Sequence, residues 1–487
     1  MTAVSQRISN FLGGVSQQAD EKLFPGQVKD ALNCYPDTTL GMMKRPGGRF
    51  NSKLAGVTAQ SKDTDAWFTV FRDDVAKYIV SIKKSDGTLR VWDMATGVEQ
   101  TVTQSTPSKT YLTASDYRSL KALTINDFTY ICNSEVTVTA RNSPTWNAKR
   151  QATIVVSTVE YNTVYSVTIN GTTYTYTTTS TSSPPLKVSD VTNGLSSAIT
   201  AGYTSKTIID NTIYLENTST NMDVSATAGL DGKYLRVFQD SVDTFARLPE
   251  QSKNGVVVKI ANTSADKDDF YLKFVAENGT SGKGYWEETV APNVSPGLTY
   301  TTMPVALVRQ SNGTFVVGEL NGSALPSING LVPQWDDRIV GDDDTNSHPS
   351  FVGFKIQDIF LFSNRLGFLT EDNVSMSQAG DYFNFYHKTA VTQVVSDPID
   401  LSCASIKPAL IHSVVPIAQG LLLFSTSQQF LMEAENGTWT PSSVAIRTIA
   451  NYECDKYLKP ADLGSTVLFV SRNQSWARTF EIFTRGQ

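Results

Sequence analysis

Carboxylates are the residues of this sequence that point most directly to chemistry. The segment WDDRIVGDDDTN, residues 335–346, contains Asp336, Asp337, Asp342, Asp343 and Asp344. Carboxylates at this density could bind Ca²⁺ or supply the acid and base of a glycan hydrolase. The regular Asp-x-Asp-x-Asp-Gly alternation of a calcium loop is missing. A solvated loop, whose Asp and Asn side chains bond the backbone, is therefore the favoured interpretation.

Signatures of other catalytic sites are missing from the sequence. The three histidines, His348, His387 and His412, are not at zinc-binding distance from another ligand along the chain. No nucleophile elbow, P-loop or dinucleotide fingerprint occurs. The sequence therefore assigns no catalytic residue, no metal site and no cofactor.

The charge balance argues against a broad nucleic-acid-binding surface. The 487 residues carry a formal net charge of −6, and 18% of them are charged. Binding to phosphates needs clustered Lys and Arg, and the most basic short stretch, residues 43–46, is too short. The aromatic group of residues 382–386 has only Lys388 nearby, so core packing is favoured over base stacking. The four cysteines show no metal or redox spacing, which indicates thiols in a reducing compartment.

Alternating apolar and polar residues predict short strands along most of the chain. A recurring group of strands begins near residues 358, 420 and 464. This spacing is typical of propeller blades, each built from three or four antiparallel strands. The predicted strands are 67–71, 77–83 and 88–93, a pair at 128–132 and 136–140, and strand groups at 358–380, 420–433 and 464–482. Within 358–380 the turns are predicted at Asn364-Arg365 and Asp372-Asn373.

The composition changes after Arg150, which indicates inserted domains. Thirteen of residues 151–200 are Thr. Asn170-Gly171 predicts a type I′ turn that places Tyr165, Val167 and Ile169 on a core face. Residues recurring at a spacing of four predict a short helix near 190–201. Strands at 256–261, 269–277 and 284–291 predict a second small β unit.

The fold predicted from these patterns is mainly β. It consists of a β-propeller core interrupted by small inserted β-rich (α+β) domains, with an extended N-terminal segment. The predicted parts are an N-terminal docking segment at 1–65, the first propeller strands at 66–150, a Thr-rich inserted α+β domain at 151–235, a second β insertion at 236–305, and the propeller continuation at 306–487.

Several stretches together resemble the tail tubular protein B, or tail nozzle, family of short-tailed bacteriophages. They are GGVSQQAD (13–20), ALNCYPDTTLGMMKRPG (31–47), GYWEETVAP (284–292), GDDDTNSHPSF (341–351), NRLGFLTEDNVSMSQAGDYFNF (364–385) and DPIDL (397–401). They run through most of the chain in the order found in that family. The Thr-rich insertion at 151–235 matches least well.

The resemblance implies a structural protein of the virion, assembled in the host cytoplasm. It implies a hexameric tube below the portal and an adaptor, or gatekeeper, ring, with docked tail fibres. Genomic DNA would leave through the lumen without specific binding, and the tube would meet the host envelope during infection. Family members are commonly longer, which predicts that a C-terminal part lies beyond this sequence.

The N-terminal segment FLGGVSQQAD, residues 11–20, has Gly hinges and few charges. We expect it to dock on a neighbouring subunit or on the adaptor ring, since Gly13-Gly14 allows close approach and the glutamines offer donors and acceptors together. A lid folded on its own chain is the alternative. The expected contact residues are Gly13, Gly14, Ser16, Gln17, Gln18, Lys44, Arg45 and Pro46.

Two other functions remain open at this point. One is a tail-associated glycan hydrolase on a propeller, with Asp336, Asp337 or Asp342–Asp344 as its acid pair. The other is a receptor-binding tail module that uses the Thr-rich insertion.

Overall fold

Strands dominate the computed structural model, which confirms the mainly-β prediction. The model describes residues 10–58, 64–229, 233–261, 269–327, 330, 332–403, 409–473 and 475–483. The chain divides into two units, one formed by residues 1–55 with 94–98 and the other by residues 56–93 with 99–487.

The elements of the first half of the chain include two α-helices, α1 (Thr106–Leu112) and α2 (Val188–Ala198). The strands are β1 (Cys34–Asp37), β2 (Gly41–Lys44), β3 (Asp65–Phe71), β4 (Lys77–Lys83), β5 (Thr88–Asp93), β6 (Glu99–Gln100), β7 (Val102–Gln104), β8 (Leu120–Ile125), β9 (Phe128–Asn133), β10 (Gln151–Val156), β11 (Val164–Ile169), β12 (Thr172–Thr177), β13 (Ser205–Ile209), β14 (Thr212–Glu216), β15 (Val224–Ala228) and β16 (Leu235–Phe238).

The second half continues as strands and short 3₁₀ turns. The strands are β17 (Ser241–Val242), β18 (Gln251–Lys253), β19 (Val257–Ile260), β20 (Phe270–Ala276), β21 (Ser281–Thr289), β22 (Val305–Arg309), β23 (Phe315–Glu319), β24 (Asp358–Phe362), β25 (Arg365–Thr370), β26 (Asn373–Met376), β27 (Ile399–Ser402), β28 (Ile411–Ile417), β29 (Gly420–Ser425), β30 (Gln429–Ala434), β31 (Val444–Ala450), β32 (Ala461–Asp462), β33 (Thr466–Asn473) and β34 (Trp476–Phe483).

Five sheets of the second unit follow one another along the chain. We number them by order: sheet 1 (β3-β4-β5-β6), sheet 2 (β7-β23-β22-β9-β8), sheet 3 (β24-β25-β26-β27), sheet 4 (β28-β29-β30-β31) and sheet 5 (β32-β33-β34). Their strands pair antiparallel, except that β7 joins β23 in parallel. The sheets are open, and no closed propeller is present among the described residues.

Consecutive sheets share apolar cores, because neighbouring residues of one strand face opposite sides. In β22, Val305 and Leu307 pack with the side chains of sheet 1, whereas Ala306 and Val308 pack with those of sheet 3. In the same way Leu421 and Leu423 join the core shared with sheet 3, while Leu422 joins the core shared with sheet 5. Burial on both faces explains why these strands are continuous apolar runs in the sequence.

Between β9 and β22, which pair with each other in sheet 2, the chain forms three further sheets. Two of them, β13-β14-β10-β16 and β12-β11-β15, share one core with α2. The third, β17-β19-β20-β21-β18, contains the strands predicted at 256–291. The predicted helix near 190–201 is confirmed as α2, with Val191 and Leu195 buried.

The Asn170-Gly171 hairpin forms in the predicted register. Ile169 pairs with Thr172, and Tyr165 pairs with Tyr176. Asn170 has φ 50° and Gly171 has φ 84°, as a type I′ turn requires. The side chains of Tyr165, Val167 and Ile169 are buried, which confirms the predicted core face.

Two details of strand pairing were predicted wrongly. Residues 136–140 do not pair with β9, because β8 and β22 occupy its two edges. The turns of sheet 3 lie one residue earlier than predicted, at Ser363-Asn364 and Glu371-Asp372. Ser363, Asn364 and Glu371 adopt positive φ there. As a result Arg365 begins a strand and is buried, instead of lying in an exposed turn.

We expect a fragment of residues 148–239 to fold alone. Its core is formed within the fragment by side chains of two sheets and α2, including Ile154, Val167, Leu195 and Leu215. Thermal melting followed by circular dichroism should show one cooperative transition. Leu195→Asp, which places a charge in this core, should abolish the transition. A random-coil spectrum of the unmodified fragment would contradict the prediction.

Candidate docking surface

The N-terminal unit has almost no interior of its own. None of the side chains of residues 10–55 is buried. Four large apolar side chains, those of Phe24, Leu32, Leu40 and Phe50, are between 67% and 81% exposed. We call these four residues the apolar set. Single exposed apolar residues are ordinary, but four in one short segment make this segment the candidate surface for docking.

Residues 13–16 run alongside residues 26–28 of the same unit. The amide of Gly13 donates to the carbonyl of Gly26, and the amide of Ser16 donates to that of Val28, both at 2.9 Å. A Cβ at position 13 would lie 2.9 Å from the backbone nitrogen of Gln27, so the close approach requires glycine. Gly14 has φ +77°, a conformation that also favours glycine.

This pairing changes what the segment offers to a partner. The backbone amides of Gly13 and Ser16 are used within the chain, as in the alternative of a locally folded lid. The side chains of Gln17 and Gln18 are exposed, and their amide groups have no partner within residues 10–58 or the other described ranges. These two side chains therefore remain the hydrogen-bonding groups that a docking contact could use.

The other expected contact residues lie on a separate hairpin. β1 and β2 pair with Cys34 opposite Lys44. Just after the hairpin, the Nε of Arg45 donates to the Oδ1 of Asn33 at 2.6 Å. Lys44, Arg45 and Pro46 are all exposed. The structure thus forms two groups in this unit, residues 13–18 and residues 44–46, with the apolar set distributed along the same segment.

The Asp-rich loop is held mainly by hydrogen bonds within the chain. The Oδ1 of Asp342 accepts from the amides of Asp344 and Thr345, at 3.1 and 3.0 Å. Asp343 accepts from the Nη1 of Arg338 at 2.8 Å. The Arg338 side chain has no exposed area and also donates to the carbonyl of Ser295. The favoured interpretation, a loop bonded to its own backbone, therefore describes Asp342.

Asp336 and Asp337 have different surroundings. Asp337 pairs with Arg141 and accepts from the hydroxyl of Tyr300 at 3.1 Å. Burial, and after it the nearby carboxylate of Asp381, raises the pKa of Asp336 to about 6. Among the described residues, no group of three or more His, Cys, Asp or Glu side chains could hold a metal ion.

The aromatic cluster is part of the core. Phe383, Phe385 and Tyr386 are buried. The ring of Phe385 stacks on Phe368 with centroids 4.9 Å apart. Core packing, the favoured interpretation of this cluster, is confirmed.

Two of the three histidines have clear structural roles. His348 lies between Arg338, 2.9 Å from its Nε2, and the hydroxyl of Tyr386, 2.8 Å from its Nδ1. Burial lowers the pKa of His348, and the guanidinium of Arg338 lowers it further. The Nδ1 of His387 lies 3.2 Å from the carboxylate of Asp397.

We expect His412 to make the protein less stable in mild acid. Burial lowers the pKa of His412 to about 4. The unfolded chain, with a histidine pKa near 6.5, therefore takes up a proton before the folded chain does. The stability that depends on neutral His412 is fully present above pH 6.5 and is lost as the pH falls toward 4. At pH 5 the free energy of unfolding has fallen by about 2 kcal/mol for this reason.

Urea unfolding at pH 7.5 and pH 5 measures this effect. In His412→Gln, the difference in unfolding free energy between pH 7.5 and pH 5 should be smaller by that amount. The raised pKa of Asp336 has the opposite effect on stability, but Asp336 is present in both proteins, so its effect cancels in the comparison with the wild type. An unchanged difference in the variant would contradict the prediction.

No helix among the described residues has the length and apolar character needed to cross a bilayer.

Comparison with known proteins gives two findings. A family model described as bacteriophage nozzle protein matches residues 1–487. The chain is also similar to the tail tubular protein gp12 of Escherichia phage T7, with 28% identity over 490 residues. That match covers 98% of this chain and 59% of the relative. The chain thus spans less than two thirds of the length of this curated relative.

Proposed function

The chain belongs to the bacteriophage nozzle protein family, and from this premise we propose that it forms part of the tail tube through which DNA leaves the virion. The family match over the full length is the observation that carries the proposal. Membership identifies a structural component of the phage tail. It does not favour the glycan hydrolase or the receptor-binding module.

The proposed tube is a closed ring of identical subunits, with six copies by family resemblance. Closed rings need complementary patches on each subunit. The apolar set supports this reading, because residues 10–55 expose it and bury none of their own side chains. We assign residues 13–18 and 44–46 to the rim of the same interface, facing a neighbouring subunit or an adaptor ring.

The subunit core is proposed to be an open, propeller-like series of blades. Sheets 1 to 5 pack consecutively through shared cores, as blades do. β8 lies beside β3 and β24, and β24 lies beside β28. β3, β8, β24 and β28 are edge strands of sheets 1 to 4. In a propeller, the innermost strands of successive blades lie side by side around the central axis. The inserted sheets then project from the second blade, between β9 and β22.

The proposed lumen is neutral to acidic. A conduit must let DNA move, and each lumen Lys or Arg that contacts a phosphate adds a salt-dependent attraction. At −6 per chain, six copies carry about −36. Lys44 and Arg45 are candidates for isolated basic rings or for subunit interfaces. The remaining proposed partners are the tail fibre, docked on the outside, and the host envelope at the distal end.

Native mass spectrometry and cryo-electron microscopy of the purified chain test the proposal. The expected result is a ring with a central channel whose surface carries few basic residues. Duplex DNA should not be retained at moderate salt. A chain that stays monomeric at high concentration would contradict the ring. Submicromolar DNA binding with a steep salt dependence would contradict the lumen.

A further inference from the structure

The sheet of β17 to β21 carries an open groove that the proposed tube does not use. Its volume is about 560 Å³. This is within the range of about 300–1,000 Å³ that is common for small-ligand sites. Its lining includes Phe245, Leu248, Glu250, Glu277, Lys283 and Tyr285.

Two aromatic rings of the groove are exposed without a structural reason. Phe245 and Tyr285 are 57% and 58% exposed. The next residue of β21, Trp286, also lines the groove but is half-buried. Its ring packs on Phe274, and its Nε1 donates to the carbonyl of Pro249 at 3.0 Å. Trp286 thus has packing and hydrogen-bond partners within the protein, whereas the ring of Tyr285 offers a flat apolar face open to solvent.

Polar groups without partners surround these rings. Within the part of the chain that the structure describes, no donor contacts the carboxylates of Glu250 or Glu277, and no acceptor contacts the ammonium of Lys283. Two carboxylates against one ammonium give a negative groove. An anionic ligand would be repelled, and a purely apolar one would desolvate the charges without compensation.

The walls of the groove are held in place before any ligand binds. The amide of Glu277 donates to the carbonyl of Lys283 at 2.9 Å, and Lys283 pairs with Gln251 across the β18–β21 ladder. The amide of Leu248 donates to the carbonyl of Phe245 at 3.0 Å. A preformed site loses little conformational entropy on binding.

The adjacent sheet edge is not open to an added peptide strand. β18 is the edge strand, and it lies against β13 and β14. The Nζ of its Lys253 is 2.5 Å from the Oε2 of Glu216 on β14. Strand addition, the mode by which an extended peptide gains main-chain bonds, is thereby blocked at this edge.

We infer that this groove binds a neutral oligosaccharide. A sugar ring has an apolar C–H face that fits against a flat aromatic face, and a rim of hydroxyl groups. The rings of Phe245 and Tyr285 would pack against the C–H face. The carboxylates of Glu250 and Glu277 would accept hydrogen bonds from the hydroxyl groups. Lys283 and the Tyr285 hydroxyl supply donors to the sugar oxygens. This inference does not depend on the proposed tube.

Saturation-transfer NMR with the full chain tests the inference. The probes are cellohexaose, chitohexaose and maltohexaose as neutral sugars, hexagalacturonate as an acidic sugar, and hexalysine as a cationic peptide. At least one neutral probe is expected to bind with a Kd of millimolar or tighter, and hexagalacturonate is expected not to bind. Tyr285→Ala and Phe245→Ala should each weaken binding about tenfold or more, whereas Tyr285→Phe should have a smaller effect.

Phe71→Ala is the matched control, because Phe71 is a similarly exposed aromatic residue on β3. Glu250→Gln with Glu277→Gln should weaken neutral sugar binding while reducing the rejection of hexagalacturonate. Failure of every neutral probe to bind overturns the inference. So does sugar binding that survives both alanine substitutions, or binding of hexalysine alone that disappears in the double glutamine variant.

Discussion

Replacing the apolar set with aspartate (Phe24→Asp, Leu32→Asp, Leu40→Asp and Phe50→Asp together) is expected to abolish ring assembly and to leave the folded subunit intact. The four side chains are mostly exposed within their own unit, so the isolated subunit loses almost no packing. In an interface each would contribute about 1.5–3 kcal/mol of apolar burial. Aspartate removes that contribution and adds a charge to be desolvated. Association should therefore weaken at least about a thousand-fold.

Sedimentation velocity over a concentration series measures the association, and circular dichroism checks the fold. The matched control is Phe71→Asp with Val75→Asp, two exposed apolar residues of the other unit. The control should assemble like the wild type. A quadruple variant that assembles normally would exclude the apolar set from the interface. If the melting temperature of the quadruple variant falls strongly together with the loss of assembly, these residues stabilise the fold instead of the interface.

The sequence predicted local structure best where backbone chemistry admits few solutions. Asn170-Gly171 fixes its hairpin because both residues tolerate positive φ, and the two-residue loop then sets the register. The turn of sheet 3 was misplaced by one residue, because Ser363 with Asn364 and Asn364 with Arg365 are similar as turn sequences. That single step decides whether Arg365 is solvated or buried.

Pairing between distant parts of the chain was not predictable in the same way. β9 was expected to pair with the next strand-like run, residues 136–140. It pairs instead with β22, whose partner residues lie 174 to 180 positions further along the chain. Local alternation determines that a strand has apolar faces but not which strand covers its edge. The insertions between the two strands hide this connection.

The sequence alone indicated the N-terminal segment as a candidate surface, but not which of its apolar residues are exposed. The lack of periodic apolar residues before residue 65 indicated a segment that requires a partner. A lid folded on its own chain was the stated alternative, but residues 26–28 were not predicted as the partner of residues 13–16, because the pairing depends on backbone hydrogen bonds that carry no side-chain pattern. Phe24, Leu32, Leu40 and Phe50 were overlooked for a related reason. Scattered apolar residues in a loop-rich segment have no period, and only their exposure identifies them.

Arg365→Ala is expected to lower the free energy of unfolding by about 3–5 kcal/mol. The Arg365 side chain is almost fully buried, and it donates only to main-chain carbonyls in the hydrogen bonds observed. Its Nη1 reaches the carbonyls of Ser377, Ser396 and Asp397, at 2.8, 3.2 and 2.6 Å. Its Nη2 reaches those of Val395 and Trp439, both at 3.2 Å.

Alanine at position 365 would remove the donor of all five carbonyls at once, at a position where the side chain is almost fully buried. One guanidinium therefore connects the start of β25 with the segment before β27 and with the loop between β30 and β31, in sheets 3 and 4. Arg365→Lys keeps the charge but not the planar fork of donors, so it should recover only part of the loss.

Arg447→Ala is the matched control, since the exposed Arg447 pairs with Glu433 through an Nε–Oε1 contact of 2.7 Å and should cost at most about 1 kcal/mol. Urea unfolding of the three variants beside the wild type measures the differences. A loss at Arg365→Ala no larger than that of Arg447→Ala would mean that water replaces the guanidinium at all five carbonyls. A full recovery by lysine would show that the buried charge stabilises the fold and that the geometry of the donors does not.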